Sequence, residues 1–176
     1  GKLDLPSYYF YDSNGKINLD LSDRTTLTLA GYWGNDRMAM DFGPLDSRLN
    51  LYLSWGNRTL STRLRHALGR NMFLSAVGSV SRSRSTWPIR NDCVLFDKAR
   101  DQLTDYSFKS DLEFLGASNH KMKIGMWVRQ YSVFFHEENE DLDIVTIDDD
   151  ANNYSLYFQD RWRINSQFEI HPGLRV

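Results

Sequence analysis

The chain holds one cysteine in 176 residues, Cys93, which excludes an internal disulfide framework and a cysteine-built zinc site. It lacks a surplus of either charge: 21 Lys plus Arg stand against 23 Asp plus Glu. A nucleic-acid binder needs a basic surplus on one face, so that class of partner is not expected. No run approaches the ~18 apolar residues of a membrane-spanning helix. No secretory leader is recognisable, because Gly1 runs straight into Lys2, Leu3 and Asp4. The mean hydropathy is −0.53, and the length suits one domain or a piece of one. These absences together describe an ordinary polar domain. What the chain has in surplus is aromatics: ten Phe, nine Tyr and five Trp, 14% of all residues.

Helical periodicity fits poorly and period two fits repeatedly. Over residues 9–21, Tyr9, Tyr11, Ile17, Leu19 and Leu21 alternate with Asp12, Asn14, Lys16, Asn18 and Asp20. A strand turns alternate side chains to opposite faces, so this is a long two-faced strand. The pattern returns at 106–114, 121–129, 154–164 and 168–176. In 154–164, Asp160 breaks the apolar side. Segments 25–34, 49–66 and 71–82 complete a set of eight strands, with no convincing helix. Segment 49–66 changes parity, from Leu49, Leu51, Leu53 and Trp55 to Leu60, Thr62 and Leu64. A bulge at Gly56-Asn57 would account for that.

Connections alternate in length. Short turns rich in Ser, Asp, Asn and Gly are expected near 22–24, 67–71, 116–120 and 165–167. Long polar connections are expected at 35–48, 83–105 and 136–152. All the long ones then emerge at one end of the sheet.

Period two alone does not say which face meets water. Strands of about ten residues or more are long enough to cross a bilayer when tilted. Tyr9, Tyr11, Trp33, Trp55, Tyr106, Tyr154 and Trp162 gather near strand ends on the apolar parity, as in interfacial girdles. The loop asymmetry matches short periplasmic turns and long extracellular loops. The fold class expected is therefore all-β: an antiparallel transmembrane β-barrel segment of about eight strands. The polar face, with Lys16, Lys109, Lys123, Arg129, Arg161 and Arg163 as candidates, would line a lumen. A charge facing lipid at the midplane costs ~2–4 kcal/mol.

Residues 6–37, PSYYFYDSNGKINLDLSDRTTLTLAGYWGNDR, resemble mid-barrel strands of TonB-dependent outer-membrane receptors of the Bacteroidetes type. So do Trp55-Gly56-Asn57 with the following TLSTRLRHALGRNMFLS, and the closing SLYFQDRWRINSQFEIHPGLRV. The resemblance covers nearly the whole chain and implies a 22-stranded barrel around a plug. No plug, leader or TonB-contacting segment is expected within these residues. Residues 1–176 are therefore expected to be an internal part of a larger barrel domain. The implied function is capture of a scarce ligand, such as a metal chelate or glycan, for uptake into the periplasm. The implied partners are outer-membrane lipid and lipopolysaccharide, the transported ligand, and a TonB-type energy-transducing complex reached through the missing plug. Neither enzymatic activity nor a cofactor is expected. Two alternatives stay open: a self-contained eight-stranded outer-membrane barrel for structure or adhesion, and a soluble lipocalin-like binder with Ile17, Leu19, Met122 and Ile124 pointing inward.

Other candidates are weaker. His66, His120, His136 and His171 are scattered, with no pair spaced for a metal on one strand face. Residues 136–150 hold eight carboxylates without the spacing of an EF-hand, so a solvated acidic loop is the plain reading. Segment 83–105 is basic and aromatic. Arg82, Arg84, Trp87 and Arg90 are candidate extracellular-loop contacts for an anionic ligand or for lipopolysaccharide phosphate.

Overall fold

The computed structural model describes residues 6–42, 49–91, 94–116, 119–139 and 142–176; for 42, 49, 89–91, 94–97 and 143 it describes the backbone only. They form one antiparallel meander. The strands are β1 (Ser7–Ser22), β2 (Thr25–Phe42), β3 (Leu49–Ala67), β4 (Met72–Asn91), β5 (Val94–Leu115), β6 (His120–Asn139) and β7 (Leu142–Arg163), followed by the short β8 (Glu169–Ile170) and β9 (Gly173–Arg175). Each strand pairs with the next in order, except that β8 and β9 both pair with β7. The last edge is split because Pro172 has no N–H to give the ladder. Its carbonyl still accepts from Asp160 N at 2.9 Å.

The ladder carries the apolar parity across the sheet. Ile17, Leu29, Thr62, Gly78, Phe108, Val128 and Tyr154 are successive Cα partners from β1 to β7. One face therefore presents an apolar band that includes Leu27, Leu64, Leu74, Leu112, Ile124 and Phe158. The other presents Asn18, Thr28, Arg63, Ser75, Lys109, Lys123 and Gln159. Among the described residues no hydrophobic side chain is buried, and the buried residues are Gly34, Thr104, Asp111 and Ser155. A single-layer sheet has no interior, so its apolar face needs a partner medium.

Three of the turns follow the sequence expectation. Ser22 Oγ accepts from Arg24 N at 3.3 Å and bonds Thr25 Oγ1 at 3.0 Å. Asn165 Oδ1 accepts from the N–H groups of Gln167 at 2.9 Å and Phe168 at 2.8 Å. These are side-chain mimics of backbone turns. Between β3 and β4 the chain reverses over 68–71, where Leu68 N donates to Met72 O at 3.0 Å.

The long connections differ from expectation. Residues 35–42, 83–91, 94–105, 136–139 and 142–152 are paired strand rather than loop. β5 and β7 reach 22 residues each, about twice the 9–11 that cross a bilayer. Polar composition marked these stretches as loop, but a hairpin leaving lipid keeps its ladder while both faces meet water.

The expected bulge at Gly56-Asn57 is absent. The β2–β3 register runs without a shift from Thr25↔His66 to Phe42↔Leu49. Register shifts fall instead at Asp20/Ser22, Ile89/Arg90 and Glu137/Glu138. The parity change is real in the side chains and absent from the backbone. In lower β3, Leu60 and Leu64 lie on the banded face; above Arg58 that same face carries Gly56, Ser54 and Tyr52. The opposite face, polar at Arg65 and Arg63, turns apolar at Trp55, Leu53 and Leu51. The neighbours follow: Met38 pairs Leu53, and Trp55 lies in one row with Ser85, Asp101, Phe135 and Ile147. The side-chain pattern inverts along a straight strand, with no bulge to carry it.

Candidate functional site on the polar face

The polar face curls into a trough of about 820 Å³ lined by Arg63, Arg65, Lys109, Asp111, Glu113, Lys123, Trp127 and Arg129, among others. These eight share one parity on β3, β5 and β6, so the ladder alone brings them together. The lipocalin-like alternative required Ile17, Leu19, Met122 and Ile124 on this inner side, and they lie on the opposite face.

Charge in the trough is arranged in pairs. Glu113 receives Lys123 Nζ at 2.8 Å and Lys121 Nζ at 3.3 Å. Lys109 Nζ lies 3.9 Å from Asp111. Tyr157 donates from its hydroxyl to Asp111 Oδ1. At the turn end, Glu169 on β8 receives Arg161 at 2.8 Å and Arg163 at 3.5 Å, and also bonds His171. Such bridges hold neighbouring strands in register and contribute little stability each where exposed.

Trp127 is the organising aromatic. Its Nε1 donates to Ser107 Oγ at 2.7 Å. The Arg129 guanidinium lies 3.5 Å from its ring centre, that of Arg175 5.2 Å, and Lys109 Nζ 5.9 Å. Cations over an indole face are attracted by its quadrupole. Arg129 also donates to Tyr131 OH at 2.7 Å, and Arg175 donates to Ser155 Oγ at 3.0 Å. Three cations gathered on one ring, with Asp111 beside them, can receive an anionic or hydrogen-bond-rich surface.

The expected lumen residues divide. Lys109, Lys123 and Arg129 meet in the trough, and Arg161 and Arg163 sit at its turn end on Glu169. Lys16 shares the face but lies on the edge strand β1, opposite Ala30. Glu113, a charge that the polar parity also assigns to the lumen, joins Lys109, Lys123 and Arg129 in the trough. Trp127, Tyr157 and Asp111 carry no site expectation from sequence. The available signal was aromatic residues on a polar parity, at Trp127 and Tyr157.

The expected loop contacts lie on β4 and take different faces. Arg82 and Arg84 lie on the banded face, beyond the band. Trp87 has the other parity, and the side chain of Arg90 lies outside the described residues. Cys93, Glu140 and Asp141 also lie outside them. Asp148, Asp149 and Asp150 belong to β7 and alternate between faces. Among the described residues no three His, Cys, Asp or Glu side chains gather as a metal site. Asp160, the break in the apolar parity, is paired with His120 Nδ1 at 2.7 Å. His120 stacks on Trp162, with ring centres 5.4 Å apart.

At the far end of the strands, Tyr8 donates to Asp36 at 2.7 Å and packs 6.3 Å from Trp55. The hydrogen bond to Asp36 raises the Tyr8 pKa above the ordinary phenol value. On β5–β6, Lys98 Nζ contacts Glu138 at 2.6 Å and His136 lies 3.4 Å from the same carboxylate. The Lys98 hydrogen bond, seconded by that of His136, lowers the Glu138 pKa.

A one-layer antiparallel meander with an apolar band outside, a charged trough inside and strands overshooting the band is the wall of an outer-membrane-type barrel. Solved structures share that fold. The chain is similar to the ferric-catecholate import receptor Fiu of E. coli K12 in its open form, with TM-score 0.71 and 10% identity over 97% of this chain and 36% of that one. It is similar to the unliganded ferric citrate transporter FecA, with TM-score 0.72 and 6% identity over 96% and 27%. It is also similar to the ferric yersiniabactin uptake receptor FyuA of Yersinia pestis, with TM-score 0.63 and 10% identity over 96% and 27%. These neighbours are TonB-dependent outer-membrane receptors. At such identities the likeness is one of fold, and the chain spans 27–36% of their lengths. No family model and no curated protein matches the sequence.

Proposed function

We propose that the chain forms part of the barrel wall of a TonB-dependent outer-membrane receptor that captures a scarce ligand, such as a metal chelate or a glycan, for uptake into the periplasm. The observation that carries this is the inversion of sidedness within unbroken strands. Apolar side chains face out over one stretch and face in above it, where a wall leaving lipid can meet water outside and hold ligand inside. The inward cluster of Tyr8, Trp55, Leu53, Trp87 and Phe135 then forms the mouth. The trough around Trp127 forms the passage below it. β1 and β9 do not pair with each other, which favours a larger wall over a self-contained eight-stranded barrel. A plug elsewhere in the polypeptide would couple the wall to a TonB-type complex. No covalent step is needed, and the residues above act by binding.

The test is uptake in the native host with the gene intact or deleted, measured with labelled iron chelates and oligosaccharides, with and without a protonophore. Accumulation of one ligand that needs both the gene and the proton-motive force supports the reading. Recovery of the protein in the soluble fraction, or gene-dependent uptake indifferent to the protonophore, contradicts it.

A further inference from the structure

The banded face changes character abruptly above its last apolar row. Leu60 and Val80 are Cα partners in that row, and the next pair up on the same face is Arg58 opposite Arg82. Two residues of strand rise separate them, about 7 Å. Arg84 continues the face on β4, with Arg37 on β2 and Arg100 on β5. Among the described residues none of these five arginines has a carboxylate within ion-pair distance. Asp41 shares the face further up β2. Glu138 on β6 is the diagonal neighbour of Arg100, but its carboxylate is held by Lys98 at 2.6 Å and His136 at 3.4 Å. Asp148 and Asp150 lie on β7, away from the arginines.

Like charges directly opposite each other across a ladder are destabilising. Arg58 and Arg82 keep that arrangement without a protein counter-charge. The Arg58 guanidinium lies over the Trp33 ring, 5.3 Å from its centre, and Arg84 Nε donates to Gln102 Oε1 at 2.6 Å. These contacts orient two of the forks and neutralise neither. Trp33, Arg58, Arg82 and Arg84 border a shallow groove of about 230 Å³ on this outward side. Paired guanidinium forks beside an indole, at the upper edge of an apolar wall, match a phosphate carried at the surface of a bilayer. Arginine binds phosphate with two parallel hydrogen bonds, and an amphipathic ring marks the interface.

We propose that the groove of Trp33, Arg58, Arg82 and Arg84 binds the phosphate-bearing headgroup of a membrane lipid in the leaflet that surrounds the upper rim of the wall. This rests on the apolar band facing lipid. The lipid's chains would lie along the Leu60–Val80 surface while its phosphate lies between the two opposed guanidinium groups. The ligand is the lipid and not the free ion, because the lower edge of the groove, Arg58 and Arg82, directly adjoins the Leu60–Val80 row of the band.

The protein, extracted from outer membranes in mild detergent, would be placed in phosphatidylcholine nanodiscs doped with diphosphorylated lipid A or with the same lipid enzymatically dephosphorylated. Native mass spectrometry would count retained lipid. The wild type should retain the diphosphorylated lipid at least tenfold better than the dephosphorylated one. Arg58→Gln with Arg82→Gln should remove that preference, a loss in keeping with charge-assisted hydrogen bonds. Arg58→Lys with Arg82→Lys should keep most of it. Equal retention by wild type and the Gln variant, or no effect of dephosphorylation, would overturn the proposal. Displacement of the lipid by millimolar inorganic phosphate would overturn it too, in favour of a free-ion site. Emission from Ile17→Trp and Asn18→Trp variants in nanodiscs of brominated lipid tests the band separately. Selective quenching of the Ile17→Trp emission supports the band. If neither is selectively quenched, the wall reading fails and the proposal with it; selective quenching with unchanged retention sinks the proposal alone.

Discussion

Tyr157 of β7 reaches over Gly125 of β6 to donate its hydroxyl proton to Asp111 of β5. The three are consecutive Cα partners across the ladder, so the tyrosine spans a whole strand. It can do so because position 125 has no side chain. A Cβ there would lie 2.5 Å from the Tyr157 ring and 2.6 Å from Asp111 Oδ1. An aromatic ring laid over a strand glycine also replaces the packing that the glycine lacks.

Gly125→Ala should therefore displace Tyr157 and leave the buried Asp111 carboxylate without its hydroxyl donor. The expected loss is ~1–3 kcal/mol, the cost of an unmade buried hydrogen bond. Tyr157→Phe should cost a similar amount. Because both act on one contact, the double variant should cost clearly less than the sum. Urea unfolding of the protein in detergent, followed by tryptophan emission, would read all three; simple additivity would refute the link.

Period two makes a sharper prediction at adjacent positions of β1. Ile17 lies on the apolar band between Tyr11 and the turn after Ser22, and Asn18 faces the trough. Ile17→Arg should lower stability by ~2–4 kcal/mol, the cost of a cation near the middle of a barrel's lipid face. Asn18→Arg should stay within ~0.5 kcal/mol of the wild type. Equal effects in a folding assay with lipid vesicles would contradict the assignment of faces.

Trp127 holds cations on its ring and donates to Ser107, so Trp127→Ala should cost more than loss of that hydrogen bond. Ser107→Ala removes only the acceptor and should cost ~1 kcal/mol. Trp127→Phe keeps a weaker ring and should fall between the two. The order Ala, Phe, Ser107→Ala in unfolding midpoints, most to least destabilised, is the observable. If Trp127→Phe matches Trp127→Ala, the stacked cations contribute nothing.

The β5–β6 extension should loosen in acid. Glu138 has its pKa lowered, first by Lys98 and then by His136. A lowered carboxylate pKa stabilises the folded form above the unfolded value of ~4.3 and loses that contribution as pH falls through the folded value. Hydrogen exchange in 98–104 and 130–138 should quicken below about pH 4, after correction for intrinsic rates. Glu138→Gln should exchange faster at neutral pH and lack that acid step. A pH-independent profile in the wild type would remove Glu138 from the account.

Much of this architecture is legible in one dimension because a strand's alternation is local. Ile17, Leu19, Met122, Ile124 and Phe158 declare the apolar face by parity alone, and Trp33, Tyr106 and Tyr154 declare its edge. Asn165 and Ser22 carry their turns in their own side chains. The overshooting hairpins were less legible. Arg84, Asp101, Glu137 and Asp148 are polar enough for loops, and a strand with water on both faces has no alternation to show. The step from Leu60 to Leu53 looked like a bulge because only the side-chain pattern, and not the medium around it, is written in the chain.

The residue order by itself determined the strand class, the period, the two faces and the turns, since each depends on neighbours a few positions apart. Only the tertiary structure decided which side chains meet. Asp111 and Tyr157 are 46 residues apart, and Arg58 lies opposite Arg82 through the register of one hairpin. Register is a property of paired strands, set by ladder hydrogen bonds and turn lengths acting together. No single segment contains it.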